Sequence, residues 1–344
     1  MGSEMCIRDS NKTLKRVEHT MMSDITTSKE EPELLNIKFK DEFVEKYKLI
    51  LDDEIERFLY FHRLPIERSI RVNTIKISTE KLIRRLSAKG WKIEQMKWYR
   101  DGLWVYSPKY TLGKAIEHRL GYFYMQGPAS MIPPLILNPR ENDIVLDISA
   151  APGSKTTQMA AMMNNKGIII ANDIDFSRLN ALRSNLQRCG VVNVIVTKID
   201  GRRFGKLPNK YDKVLLDAPC SGDGTIRIRP HIAVQWNQKV ILGLSRLQTS
   251  LLISAFDSLK DGGTLVYSTC TLNPEEDEMV VQHLLEKRPS AKLLPVSLEG
   301  LKIRPGLVEF KDLRFDSDLK KTARIYPQDN NTEGFYIAKV VKRE

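Results

Sequence analysis

The 344-residue sequence predicts an α/β fold in which a mainly parallel sheet is covered by helices on both faces. Three observations lead to this prediction. After Gly127-Pro128, short β-rich runs alternate with helical runs, and repeated βα units form parallel sheets. Near the end of the chain, two β-rich runs flank the turn PQDNNTE and predict an antiparallel hairpin. Before Gly127 this alternation is missing, and the pattern predicts a separate, small α+β lobe.

The chain is therefore predicted to divide into three parts. Residues 1–29 are polar and aperiodic, which indicates a disordered tail or a foreign translated scar. Residues 30–125 are assigned to the α+β lobe and residues 126–344 to the domain that contains the βα units. The elements predicted for the lobe are a helix over residues 41–62, a strand over 71–75, a helix over 80–89 that Gly90 ends, and strands over 92–96 and 103–106.

The second domain is predicted from its alternating pattern. Its expected strands cover residues 144–148, 168–172, 194–197, 213–217 and 264–268, and its expected helices cover 155–163, 176–189, 240–259 and 274–287. The hairpin strands are expected at residues 322–326 and 334–341. Five βα units closed by an antiparallel hairpin are the outline of a Rossmann-like class I methyltransferase.

Composition narrows the class of protein. A hydrophobic fraction of 42% with 28% charged residues is typical of a soluble globular protein. No apolar run approaches the roughly 20 residues that a membrane span requires, so we expect no membrane segment. The four cysteines, Cys6, Cys189, Cys220 and Cys270, form no C-x-x-C pair and lack metal-ligand spacing. We therefore expect free thiols, no metal and a cytoplasmic location.

The positive charge is concentrated in the lobe. The chain has a formal net charge of +11, and residues 63–119 contain 14 Lys and Arg against 5 Asp and Glu. The same stretch contains six aromatic residues, which are Trp91, Trp98, Tyr99, Trp104, Tyr106 and Tyr110. Cations mixed with aromatics suit RNA, through phosphate attraction and base stacking. A solvated basic face with the aromatics turned into a core is the alternative, and composition does not decide between them.

A candidate cofactor site follows the first strand of the second domain. That strand ends at Asp147 and runs into SAAPGS, which precedes a predicted helix. Small residues let a ligand approach the backbone, and the helix N-terminus offers N–H groups that suit the methionine carboxylate of S-adenosylmethionine. Asp173 and Asp200 end the next two strands, where acids can bind ribose and adenine. The segment is neither a P-loop nor a G-x-G-x-x-G motif.

Two cysteines are expected beside that site. The fourth strand ends in Asp217-Ala218-Pro219-Cys220, and the fifth ends in Ser268-Thr269-Cys270. Carbon 5 of cytosine is too weak a nucleophile to take a methyl group from sulfur unaided, but adding a thiolate to carbon 6 makes it an enamine. Asp217 is placed to act as an acid at the ring nitrogen. These residue types favour carbon methylation of a pyrimidine, with either thiol as the nucleophile.

Five motifs in order resemble those of the Nop/Sun family of RNA 5-methylcytosine methyltransferases. They are QGPASMIPP, DISAAPGSKT, DAPCSGDGT, STCTLNPEEDE and TEGFYIAK, and RSIRVNTIK resembles the family's RNA-facing lobe. The resemblance implies that Cys270 is the nucleophile and that Cys220 helps to release the product. It further implies a cofactor site formed by Ala150, Ala151, Pro152, Gly153, Ser154, Lys155, Asp173, Arg178, Asp200 and Asp217.

The resemblance implies an RNA partner, with transfer RNA expected before ribosomal RNA, and we expect a monomer. A non-catalytic RNA-binding or assembly factor is the alternative, although neither cysteine and none of the acids is missing. A nicotinamide-dependent dehydrogenase is a third possibility, which the missing G-x-G-x-x-G motif opposes.

Overall fold

The computed structural model describes residues 33–106 and 112–343, so the predicted tail over residues 1–29 lies outside the described residues. The predicted first helix is two helices, α1 (Asp41–Leu51) and α2 (Ile55–Arg63), joined by a 3-10 turn at Asp52–Glu54. Asp52 has a φ of 48° and a ψ of −113°, which is outside the helical region and therefore ends α1. Apolar periodicity continued through this break, and for that reason the pattern did not predict it.

The lobe contains a four-stranded antiparallel sheet. The elements of the lobe are β1 (Arg68–Val72), α3 (Thr79–Ser87), β2 (Ile93–Met96), β3 (Tyr99–Val105), α4 (Ile116–Arg119) and β4 (Phe123–Met125). The strand order in the sheet is β2-β3-β1-β4, with pairing of β1 to both β3 and β4. Ser78 caps α3, the main helix of the lobe, and Gly90, with a φ of 80°, follows that helix as predicted.

The aromatic residues of the lobe pack in apolar clusters, Trp91 within the lobe and Trp98 and Trp104 also against residues of the second domain. Trp91 and Trp104 are buried, while Trp98, Tyr99 and Tyr106 are half-buried. Trp98 and Trp104 meet edge to face with ring centroids 6.1 Å apart. Tyr110 lies outside the described residues. For Trp91 and Trp104 the structure therefore favours the alternative, in which the aromatics form a core and the cations a solvated face.

The second domain is built on a nine-stranded sheet. The strands are β5 (Ile144–Asp147), β6 (Ile168–Asn172), β7 (Val194–Thr197), β8 (Tyr211–Asp217), β9 (Leu259–Thr269), β10 (Ala291–Leu294), β11 (Arg304–Pro305), β14 (Ala323–Ile325) and β15 (Phe335–Lys342), with β12 (Glu309–Phe310) and β13 (Leu313–Arg314) pairing separately. The strand order along the sheet is β11-β14-β15-β9-β8-β5-β6-β7, and β10 pairs with β15. Strands β5 to β9 pair in parallel, as predicted.

Helices lie between these strands. The helices are α5 (Ile132–Leu137), α6 (Ser154–Met162), α7 (Phe176–Cys189), α8 (His231–Gln235), α9 (Gln238–Asp257), α10 (Glu278–Lys287) and α11 (Pro327–Asn330). Helix α7 has the predicted bounds, whereas α10 begins four residues later than predicted because residues 274–277 form a turn. Helix α9 is long and apolar enough to cross a membrane, but its Leu252, Ala255 and Phe256 are buried in the core with residues of β8 and β9.

The antiparallel hairpin is also confirmed. Strand β14 pairs with β15, and the connection between them contains α11. Strand β15 also pairs along its other edge with β9, which joins the hairpin to the parallel sheet. The fold therefore brings the carboxyl ends of β5, β6, β7, β8 and β9 to one edge, where open α/β sheets bind their ligands.

Candidate active site

A cavity of about 850 Å³ opens at the carboxyl ends of the parallel strands. Pockets of this size accommodate cofactors and other small molecules. Most of the predicted site residues line it, namely Ala151, Pro152, Ser154, Lys155, Asp173, Arg178, Asp200, Asp217, Cys220 and Cys270. Two predicted residues, Ala150 and Gly153, do not line the cavity.

These two residues instead shape the loop before α6. Gly153 has a φ of +104°, and a Cβ atom there would lie 2.8 Å from Leu182 Cδ1. The glycine is thus required by its backbone conformation and by packing against α7. The backbone N–H of Ala150 donates to Asn172 O at 2.7 Å, which ties the loop to the end of β6. That Gly153 also contributes to the cofactor site stays a prediction.

Asp173 connects the same loop to α7. Its Oδ2 accepts a hydrogen bond from the Ala151 backbone N–H at 3.3 Å and lies 3.3 Å from Arg178 Nη1. Arg178 also donates to Ala151 O at 2.5 Å, and Asp175 N donates to Asp173 Oδ1 at 3.0 Å. The residue Asp173 is 2% exposed, so most of its carboxylate faces protein groups. Asp173 and Arg178 therefore hold the loop in place as well as lining the cavity.

Asp200 lies on the adjacent wall and is more accessible. Its side chain is 29% exposed and pairs with Arg202 at 2.5 Å. The hydrogen bonds from the Arg202 guanidinium lower the pKa of Asp200 to about 2, so this carboxylate stays ionised at neutral pH. Ile174 lines the cavity between these two acids with 63% of its surface exposed.

Replacing Asp173 by alanine is expected to weaken S-adenosylmethionine binding by about 1.5–3 kcal/mol, the usual size for hydrogen bonds to a charged group. Calorimetry measures this loss. Asp175→Ala is the matched control, because Asp175 caps α7 two residues away and does not line the cavity. Normal cofactor affinity in a folded Asp173→Ala protein would rule out a role for this carboxylate in cofactor binding.

Asp217 occupies the centre of a polar cluster. Lys155 Nζ lies 2.7 Å from Asp217 Oδ2 and donates to Ser130 Oγ at 3.0 Å. Ser268 Oγ donates to the other oxygen of Asp217 at 2.9 Å. Below them, burial raises the pKa of Asp147 to about 7, so the cluster has fewer negative charges at neutral pH than its acids suggest. A positive charge and a carboxylate thus lie side by side where a polar ring could bind.

The two cysteines meet at the cavity wall. Cys220 Sγ and Cys270 Sγ are 3.1 Å apart, and the Cys270 backbone N–H donates to Cys220 Sγ at 3.3 Å. Both side chains are half-buried and both line the cavity. The hydrogen bond shared with Cys270, and next burial, raise the pKa of the Cys220 thiol well above its usual range. Cys220 is therefore a protonated thiol at neutral pH.

Several residues of this cavity were not predicted from the sequence. Ser130 contacts Lys155 from the loop after β4, and Arg229 lines the cavity from the segment after Cys220. Ser130 belongs to the quoted motif QGPASMIPP, which therefore contained the signal, whereas nothing in the local pattern singled out Arg229. Within residues 33–106 and 112–343, no group of three or more His, Cys, Asp or Glu is arranged to hold a metal ion.

Two family models match the chain. One, 16S rRNA methyltransferase RsmB/F, matches residues 134–341. The other, the N-terminal domain of 16S rRNA methyltransferase RsmF, matches residues 39–128.

Two relatives of this chain are named for different RNA substrates. A tRNA (cytosine(49)-C(5))-methyltransferase from Pyrococcus abyssi is 44% identical over 89% of this chain and 97% of its own length. Ribosomal RNA small subunit methyltransferase F from Vibrio campbellii is 41% identical over 89% of this chain. The chain spans only 64% of the length of that relative.

Solved structures share the fold along most of the chain. A methyltransferase homolog protein from Pyrococcus horikoshii is 36% identical, with a TM-score of 0.80 over 89% of this chain and 96% of its own. NSun6 from Pyrococcus horikoshii, solved with SFG, is 30% identical, with a TM-score of 0.78 over 89% of this chain and 99% of its own.

Proposed function

The chain belongs to the 16S rRNA methyltransferase RsmB/F family, and from this premise we propose that it methylates carbon 5 of cytosine in RNA through a covalent bond between Cys270 and the base. The observation that carries the covalent step is the pair of thiols 3.1 Å apart beside Asp217 in one cavity. A methyltransferase acting on an exocyclic amine needs neither thiol.

S-adenosylmethionine is the cofactor, and it supplies an electrophilic methyl group when bound. The cavity residues fit it chemically. The N-terminal end of α6 and the cation of Arg178 suit a carboxylate. The ionised Asp200 and the cavity-lining Asp173 suit hydroxyl groups, and the exposed Ile174 offers an apolar surface to an aromatic ring. These residues bind and orient the cofactor toward Cys270.

The proposed reaction begins at Cys270. Its thiolate adds to carbon 6 of cytosine, forming a carbon–sulfur bond and placing negative charge on the ring. Lys155 and Asp217 are already in contact and can compensate that charge. Lys155 does so by its positive charge, and Asp217, once it has taken up the proton that the Cys270 thiol loses, by donating that proton to the ring nitrogen. Carbon 5 of the resulting enamine then takes the methyl group.

Cys220 is assigned to the second half of the reaction. After methyl transfer, the proton on carbon 5 must leave and the bond between carbon 6 and Cys270 must break. Cys220 Sγ is the neighbouring group at 3.1 Å from Cys270 Sγ. Once its thiol proton has passed to solvent, its raised pKa makes the Cys220 thiolate a strong base for the carbon-5 proton. We assign to it the transfer of this proton during elimination.

Transfer RNA is the proposed substrate. The relative that acts on transfer RNA is 44% identical to this chain, against 41% for the ribosomal relative. The test is incubation of the protein with labelled S-adenosylmethionine and either bulk transfer RNA or ribosomal RNA. Labelled 5-methylcytosine in the transfer RNA supports the proposal, label only in ribosomal RNA reverses the choice, and no label in either favours the non-catalytic alternative.

We propose that the lobe over residues 30–125 binds RNA phosphates, and Arg84 gives the cleanest test. Arg84 and Arg85 are both exposed on α3, but Arg85 pairs with the buried Glu117 at 2.6 Å. Arg84→Ala is expected to reduce the salt dependence of RNA affinity by about 0.7 log unit per tenfold change in salt. Arg85→Ala is the matched comparison and should change it less. An unchanged slope for Arg84→Ala would place this arginine outside the RNA interface.

A further inference from the structure

Two buried carboxylates connect the loops that carry the cysteines. Asp223 follows Cys220 by three residues, and Glu276 follows Cys270 by six. Asp223 is 1% exposed and Glu276 is fully buried, and neither lines the cavity. Neither carboxylate can therefore touch a substrate in that cavity, although both lie within the motifs that contain the thiols.

Asp223 accepts hydrogen bonds from the loop of the other cysteine. Thr271 Oγ1 donates to its Oδ1 at 2.6 Å, and the Leu272 backbone N–H donates to the same atom at 3.2 Å. Asn273 Nδ2 donates to its Oδ2 at 2.7 Å. These three donors are the residues that directly follow Cys270, so Asp223 fixes the path of the chain on leaving the nucleophile.

Glu276 makes the reciprocal contacts. The backbone N–H of Ser221 donates to its Oε1 at 2.9 Å, and Ser221 Oγ donates to its Oε2 at 2.5 Å. Gln248 Nε2, on α9, donates to Glu276 Oε1 at 2.9 Å. Ser221 directly follows Cys220, so each carboxylate belongs to one cysteine loop and binds the residue next to the cysteine of the other.

Burying these two carboxylates costs free energy, which argues that they do more than stabilise the fold. Among the described residues, no Lys, Arg or His nitrogen lies within 4 Å of either carboxylate. A buried carboxylate without a cation is tolerated only when neutral donors saturate it. Burial raises the pKa of Glu276 above its usual range, as expected for such a site. Apolar side chains could fill these positions with less penalty but could not define the distance between two loops.

Asp223 also receives donors from outside the two loops. Tyr47 OH, on α1, donates to Asp223 Oδ2 at 2.8 Å, and Trp236 Nε1 donates to the same atom at 3.3 Å. Tyr47 is buried in a core that also contains Phe58, Trp236 and Leu272. The N-terminal helix pair is thus attached to the Cys220 loop by a directed hydrogen bond, and it packs against Leu272 of the Cys270 loop.

We propose that Asp223 and Glu276 are positioning residues that hold the Cys220 and Cys270 thiols in contact, as a reciprocal carboxylate clamp between the two loops. The clamp defines where each sulfur sits relative to a cytosine bound beside Asp217. Its catalytic meaning rests on the proposed function, whereas its effect on the distance between the thiols does not.

The first test measures that distance effect without RNA or cofactor. The protein is equilibrated with oxidised and reduced glutathione, so that two thiols and one glutathione disulfide give the Cys220–Cys270 disulfide and two reduced glutathiones. Mass spectrometry of the linked peptides gives the equilibrium constant, which reports the effective concentration of one thiol at the other. We expect this constant to fall at least tenfold in Glu276→Gln and in Asp223→Asn, because each amide presents a donor where the loops need an acceptor.

Milder variants keep the test decisive if either amide variant fails to fold. Ser221→Ala and Tyr47→Phe each remove one donor to the clamp, and a fall of about threefold or more is expected in each. Ser258→Ala and Tyr211→Phe are the matched controls, since the Ser258 hydroxyl donates to Ala255 O near the end of α9 and Tyr211 begins β8 at the end away from the cysteines. Glutathione constants within twofold of wild type in all folded clamp variants would overturn the proposal.

The second test measures turnover. The clamp variants are expected to lose kcat at least tenfold while their S-adenosylmethionine affinity stays unchanged, because Asp173, Arg178 and Asp200 lie on other loops. A loss of kcat that follows melting temperature, with an unchanged glutathione constant, would show a merely structural role and overturn the proposal. If the wild-type protein methylates no RNA, the proposed function fails while the glutathione result still decides whether the clamp exists.

Discussion

Replacing Cys270 by alanine is expected to lower the rate of methyl transfer by about 10⁴-fold or more. Without the sulfur no bond to carbon 6 forms, and carbon 5 of an unactivated cytosine does not attack a methyl group. The remaining residues of the cavity still bind both reactants, so the affinities for RNA and cofactor should change little. Single-turnover assays with labelled cofactor measure the rate, and calorimetry measures the affinities.

Cys189→Ala provides the control for Cys270→Ala. Cys189 is a buried free cysteine at the end of α7 and does not line the cavity. Its removal should change stability without changing the chemistry. Normal methylation by Cys270→Ala would mean that another group makes the covalent bond, or that no covalent bond is made.

Replacing Cys220 by alanine is expected to leave the first methyl transfer intact and to slow all later turnovers. The attack by Cys270 and the transfer of methyl use groups that remain, so one methyl group per enzyme should still reach the RNA. Elimination then lacks the group 3.1 Å from Cys270 that we assign to it, and multiple turnover should fall by about 10²–10⁴-fold, the range for general acid–base catalysis. A burst assay at high enzyme concentration measures both phases. Loss of the burst itself would place Cys220 before methyl transfer.

Patterns that depend on neighbouring residues predicted the fold well. Strands β5 to β8 and helix α7 were predicted within a residue or two, because buried parallel strands and amphipathic helices repeat over short windows. The antiparallel hairpin was predicted from its turn composition. Strands β4 and β10, of three and four residues, were not predicted.

The sequence indicated which residues line the cavity, but not which side chains form hydrogen bonds or ion pairs around it. The motifs placed Asp217, Cys220 and Cys270 at adjacent strand ends, and the structure brings them to one cavity. The ranking of the two thiols came from the family resemblance and could not come from either motif. No sequence pattern indicated that Tyr47 would donate to Asp223, 176 residues away, or that Arg85 would pair with Glu117. Such contacts depend on tertiary packing, which the local pattern does not contain.

The assignment of the nucleophile can be tested most directly by mapping the trapped adduct. Cys220→Ala is incubated with RNA and S-adenosylmethionine, the covalent complex is isolated by denaturing electrophoresis, and its nuclease and protease digest is sequenced by mass spectrometry. We expect a methylated cytosine joined to the peptide that contains Cys270, and no adduct when Cys270→Ala is added. An adduct on any other residue, or an adduct formed by Cys270→Ala with Cys220 intact, would contradict the assignment of Cys270 as the nucleophile.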